Sequence, residues 1–151
     1  MSLPIDTIGN WTQRWDLEAV KPIKPENSRG GTEFMAQAIL ATHGTVILKY
    51  ARGQSRLTAE IATLRHYNGI GAVKVFEQAP EDGLYLMQTA TPGRQLATLY
   101  HEGRDDEGSR IIAGLIKTLT RQQPNNLPEG IPPVEDLLVH FERFFSKLPL
   151  K

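Results

Sequence analysis

Lys49 closes the apolar run Val46, Ile47, Leu48, and Glu60 follows eleven residues later in a segment with helical spacing. In that segment Leu57, Ile61 and Leu64 recur at i, i+4 and i+7, so Glu60 falls between Leu57 and Leu64 and beside Ile61, on the face that packs inward. A carboxylate there costs on the order of several kcal/mol unless a cation pairs with it, and Lys49 is the natural partner. An ammonium held in place by a carboxylate offers a fixed positive charge to phosphate oxygens. The plainer alternative is that Glu60 sits at the edge of its face and reaches water, with Lys49 an ordinary strand-end lysine.

A second place suited to phosphate is the stretch Ser28, Arg29, Gly30, Gly31, Thr32, where two glycines and two hydroxyls between strands can present backbone N–H groups to an anion. A simple surface loop has the same composition. Two other phosphate motifs are excluded. Gly44 to Lys49 lacks the Gly-Lys-Ser/Thr ending of a P-loop and is β-branched in its middle, while Gly69-Ile70-Gly71 follows a helix and precedes a strand, the reverse of the dinucleotide order. His43, His66, His101 and His140 show no metal-ligand spacing. Asp82-Gly83 reads as turn chemistry, and Asp105, Asp106 and Glu107 as the acidic start of a helix.

The elements that must position these residues follow from periodicity. Trp11 and Trp15, at i and i+4, predict a short amphipathic helix anchoring the N-terminus. Strands are predicted over 17–23, 34–40 and 45–50, the last two joined by the tight turn Thr42-His43-Gly44. The period then switches to helical over 55–68, with Ser55 as the cap and Asn68-Gly69 as the stop. Strands over 72–78 and 84–89 flank the turn Pro80-Glu81-Asp82-Gly83. Beyond residue 90 the pattern is purely helical: 95–100, then 106–121, and a last helix with Val134, Leu137, Leu138, Phe141, Phe145 and Leu148 on one face. The predicted class is α+β: a five-stranded antiparallel sheet with one helix on a face, over residues 1–89, followed by a helical part over 90–151.

Composition narrows the function. The 151 residues are 40% hydrophobic and 23% charged, with 17 basic against 17 acidic side chains. A zero net charge without clustered Lys or Arg argues against nucleic acid or an anionic membrane as partner. With no cysteine there is no disulfide, thiol catalysis or cysteine metal site. No apolar run approaches the roughly 20 residues of a membrane span, and the first residues lack a signal pattern, so a cytoplasmic protein is expected.

With Lys49, Glu60 and the boundary near residue 90 in place, the chain resembles the streptomycin kinase and hydroxyurea-resistance branch of the aminoglycoside phosphotransferases. The resemblance runs through Trp15-Asp16-Leu17, Gly44 to Lys49, Glu60 and Leu64 to Val75, then Leu84 to Gln88 and Thr91 to Leu96. It implies a protein-kinase-like N-terminal lobe and the first helices of a C-terminal lobe. Lys49 would bind the phosphates of ATP and Glu60 would orient it. The loop with Ser28, Gly30, Gly31 and Thr32 would cover the phosphates, and Met87, Gln88 and Ala90 would form the hinge that meets adenine, Gln88 standing where the family has Glu. It also implies Mg and a His-Gly-Asp catalytic loop beyond these helices. No His-Gly-Asp occurs in the sequence, so the chain alone is expected to be inactive. The parent reaction would transfer the γ-phosphoryl of ATP to a hydroxyl of an aminoglycoside-like antibiotic. Rival readings are a non-catalytic module binding nucleotide or protein, and a structural remnant; a homodimer through the helices after residue 104 is expected from the apolar last helix.

Overall fold

The computed structural model describes residues 5–23, 32–122 and 131. Five strands, β1 (Leu17–Ile23), β2 (Thr32–Leu40), β3 (Gly44–Ala51), β4 (Val75–Ala79) and β5 (Leu84–Gln88), form one sheet in the order β1-β2-β3-β5-β4. Every neighbouring pair is antiparallel. Helix α1 (Ile5–Arg14) precedes the sheet, α2 (Gln54–Tyr67) is inserted between β3 and β4, and α3 (Leu96–His101) and α4 (Asp105–Thr120) follow it. This is the α+β arrangement expected for a kinase-like N-terminal lobe.

Because side chains alternate along a strand, β3 and β5 serve both faces of the sheet. Val46, Leu48 and Tyr50 on β3 pack with Leu84 and Leu86 on β5, with Ala36, Ala38 and Leu17 beside them. Ile8, Trp11 and Trp15 from α1 and its end cover that face. The two indoles lie 4.7 Å apart, Arg14 sits 4.6 Å over the Trp11 ring, and Trp11 Nε1 donates to Asp82 Oδ2 at 2.6 Å. Asp82 thus does more than favour its turn: it ties the strand connection to the N-terminal helix. On the opposite face Ala51 and Tyr85 pack with Leu57 and Ile61 of α2, and Leu64, Val75 and Met87 fill in around them.

Several boundaries differ from expectation for local reasons. Helix α2 is capped by Gly53 in the left-handed region (φ 95°), with no side-chain cap, so Ser55 lies inside the first turn instead of capping it. Asn68 ends the helix, also left-handed (φ 44°), its N–H donating to the Leu64 carbonyl at 2.9 Å. Strand β4 begins at Val75 instead of residue 72. Gly71 (φ +73°) turns the chain so closely past α4 that a Cβ there would meet Leu119 Cδ2 at 2.9 Å. Thr32, expected in a loop, opens β2 opposite Ala51. The expected last helix and the loop residues Ser28, Gly30 and Gly31 lie outside the described residues.

Candidate functional site

Strand register creates the site. Lys49 on β3 is the direct cross-strand partner of Met35 on β2 and of Tyr85 on β5, so all three side chains emerge on one face. Helix α2 crosses that face with Leu57 and Ile61 buried against the sheet, which turns Glu60 toward Lys49. Lys49 Nζ donates to Glu60 Oε1 at 2.5 Å. Side-chain exposures of 13% for Lys49 and 36% for Glu60 put the pair at the edge of the core, with the ammonium the more sheltered partner. The alternative of two independent surface charges is thereby excluded.

Tyr85 was not singled out from the sequence, yet it belongs to the pair. Its ring is fully buried, its hydroxyl donates to the same Glu60 Oε1 at 2.8 Å, and Lys49 Nζ lies 5.7 Å from its ring centroid. Burial first, then the charge of Glu60 and the bond to it, push the phenol's pKa well above its ordinary 10.0. Tyr85 therefore stays a neutral hydrogen-bond donor. Within the apolar strand Leu84 to Gln88 a tyrosine reads as an ordinary β-former; only the Lys49–Tyr85 register gives its position away.

Next to Lys49 the same face carries Ile47, whose cross-strand partner is Met87, which in turn faces Val75 on β4. Met35 and Ile47 are half-buried, so a small apolar platform lies beside the ion pair, bordered on β2 by exposed Gln37, the cross-strand partner of Ile47. The residues expected to form a hinge lie at its far end. Gln88 pairs with Val46, donates its N–H to the Lys74 carbonyl at 2.8 Å and accepts from the Lys74 N–H through its side chain at 3.2 Å. Its N–H and side-chain oxygen thus hold the residue just before β4, while Ala90 is exposed just beyond β5. Thr89 Oγ1 donates to the Thr45 carbonyl at 3.0 Å. Of the expected site residues the structure thus gathers Lys49, Glu60 and Met87 on one face and aligns Gln88 and Ala90 at its end. Thr32 opens the neighbouring strand.

The helices that follow β5 attach to α2. His66 Nε2 bonds the Gln122 carbonyl at 2.9 Å, so the end of α4 is tied to the helix that carries Glu60. Outward, α4 exposes Ile111, Ile112, Leu115 and Ile116; the homodimer expected from the last helix concerns residues outside those described. Among the described residues no group of three or more His, Asp or Glu side chains is placed to hold a metal ion. Among them, too, no helix is long and apolar enough to cross a membrane.

The chain is 29% identical over 107 residues to streptomycin 6-kinase of Streptomyces glaucescens, a match covering 70% of this chain and 32% of that protein. The chain thus spans about a third of the length of the curated relative it matches. No solved structure matches it. The model of the aminoglycoside/hydroxyurea antibiotic resistance kinases matches residues 20–147, from β1 through the sheet, α2 and the helices beyond, and the chain belongs to that family.

Proposed function

We propose that this chain supplies the ATP-binding lobe of a small-molecule kinase whose acceptor is a hydroxyl of an aminoglycoside-like antibiotic of the streptomycin type. The observation that carries the reading is the Lys49–Glu60 pair at 2.5 Å beside an apolar sheet face. Lys49 binds the α- and β-phosphates, and Glu60 keeps the ammonium pointed at them instead of letting a long side chain wander. The purine lies on the platform of Met35, Ile47 and Met87, with the backbone near Ala90 meeting its edge. The spacing suits such a ligand. From Val46, opposite Gln88, to Lys49 is three residues along β3, or about 10 Å, comparable to the reach from a purine ring to its phosphates. Among the described residues no cluster of three or more His, Asp or Glu side chains is placed to hold Mg. The loop with Ser28, Gly30 and Gly31 would close over the phosphates.

NMR titration of residues 1–151 tests this, because it detects the weak binding expected of one lobe. ATP should shift resonances of Met35, Ile47, Lys49 and Met87, and Lys49→Ala should abolish the difference between ATP and adenosine while leaving the adenosine shifts in place. Shifts confined to another surface would overturn the reading. The same chain should not phosphorylate streptomycin with ATP; turnover that vanishes in Lys49→Ala would mean that the reacting groups lie within these residues.

A further inference from the structure

Helix α2 is poorly fixed by apolar packing alone. Leu57 and Ile61 are its fully buried side chains among those described, one turn apart, and Leu64 is only partly covered. Two anchors on one line hold a helix against a sheet, but they resist rotation about its axis weakly, and Glu60 needs only a modest rotation to swing from Lys49 into water, since it is already 36% exposed. The His66 bond to the Gln122 carbonyl steadies the C-terminal end of the helix, and beside Glu60 itself rotation is opposed by a polar contact from the sheet. The Tyr85 ring is locked in the same cluster as Leu57 and Ile61, has no access to solvent, and delivers its hydroxyl to the oxygen that Lys49 uses.

We propose that Tyr85 is a positioning residue that pins Glu60 inward, so that the phosphate-binding lysine is preassembled before any nucleotide arrives. The inference rests on the ATP-binding reading for its purpose, but the pin exists in the chain without ligand. The chain of contacts is Tyr85 Oη to Glu60 Oε1 at 2.8 Å and Glu60 Oε1 to Lys49 Nζ at 2.5 Å. Tyr85 touches neither substrate nor reacting atoms; it acts through Glu60. The phenol is sealed from water and its hydrogen-bond partner among the described residues is Glu60, and because it remains neutral it donates throughout the ordinary pH range. A lobe built this way differs from one whose helix must be driven inward by a partner or a modification: here the sheet supplies the latch.

Tyr85→Phe removes the hydroxyl and keeps the ring. The first readout is the acylation rate of Lys49 by an amine-reactive ester, mapped on peptides from the intact chain, with Lys21, Lys74 and Lys117 as internal standards. Losing the pin should raise the Lys49 rate several-fold and leave the other three unchanged. An unchanged Lys49 rate, or an equal rise at all four lysines, overturns the proposal, the second because it reports general loosening. The second readout separates this inference from the nucleotide reading: ATP affinity should fall roughly tenfold while adenosine affinity stays the same. If the unaltered chain binds neither, the nucleotide reading fails and the Lys49 rate still decides the role of Tyr85. Should Tyr85→Phe not fold, NMR of the unaltered chain decides: a slowly exchanging Tyr85 hydroxyl proton that shifts in Glu60→Gln supports the pin, and a rapidly exchanging one overturns it.

Discussion

The two faces of the sheet use the same strands for opposite purposes. On the α1 side Val46, Leu48, Leu84 and Leu86 are inaccessible to water and pack in one apolar cluster, with the polar contacts of Trp11, Arg14 and Asp82 at its edge. On the α2 side the residues one position along, Lys49 and Tyr85, carry the polar triad with Glu60, and Met35, Ile47 and Met87 remain only half covered. Alternation by a single residue therefore separates a closed face from a half-open one: Leu48 and Lys49 are neighbours in the chain, yet one is clamped between strands and α1 while the other lies on the half-covered face beside α2. A closed apolar face lets the other face stay incomplete, with unburied area and charge, without the fold coming apart.

That division is broken most directly at Leu48. Truncating this fully buried side chain to Ala should cost about 2–5 kcal/mol, measured by denaturant unfolding. Lys49→Met, one residue on, should cost less than about 1 kcal/mol, because it leaves Glu60 partly open to water. Comparable losses at both positions would mean that the two faces share one cooperative function and the separation is false.

How far the sequence revealed this arrangement depends on how local each cause is. The strand Leu17–Ile23 and the helical insertion after β3 were legible because they are set by period and by turn residues. Lys49 and Glu60 were legible because a carboxylate on an apolar stripe demands a partner nearby in sequence. Tyr85 was not, since its meaning comes from register with Lys49, 36 residues away in the chain but adjacent across β3 and β5. The Trp11–Asp82 bond, spanning 71 residues, was hidden for the same reason. Cap and boundary errors at Ser55 and residue 72 have a different source. There the backbone follows left-handed glycines: Gly53 through its own φ of +95°, in open space, and Gly71 through the close approach of Leu115 and Leu119.

Alkaline pH probes the α2 face with a smaller effect. Tyr85 has a folded pKa raised above its unfolded value near 10.0, chiefly by burial. Such a group contributes stability that is present in full below pH 10 and is lost as pH rises above it, because the unfolded chain can release the proton and the folded chain cannot. The limiting slope for one group is about 1.4 kcal/mol per pH unit. Unfolding free energy should therefore decline more steeply above pH 10 in the unaltered chain than in Tyr85→Phe. Tyr85's phenolate absorbance should appear only with unfolding; an early, reversible appearance in the folded chain would show that the α2 face admits water to the ring and that the latch is leaky.

The smallest effect is expected where charges pair in open water, and it serves as the control for Lys49 and Glu60. Glu102 accepts from Arg94 and from Arg104, the latter at 3.1 Å, and these bonds, Arg94 first, hold its carboxyl below the ordinary carboxylate value. With its folded pKa depressed, Glu102 contributes stability that is present above the unfolded value and is lost as pH falls through the folded one. All three side chains are exposed, however, so salt screens them and the entropy of fixing long side chains offsets the attraction. A carboxyl-carbon NMR titration should give a lowered midpoint that returns toward the usual range in Arg94→Gln and at high salt. Thermal stability should hardly respond to Glu102→Gln. If that substitution instead destabilised the chain as much as breaking the Lys49–Glu60 pair does, shelter by the sheet and α2 would not be what distinguishes the site's charges from those of the surface.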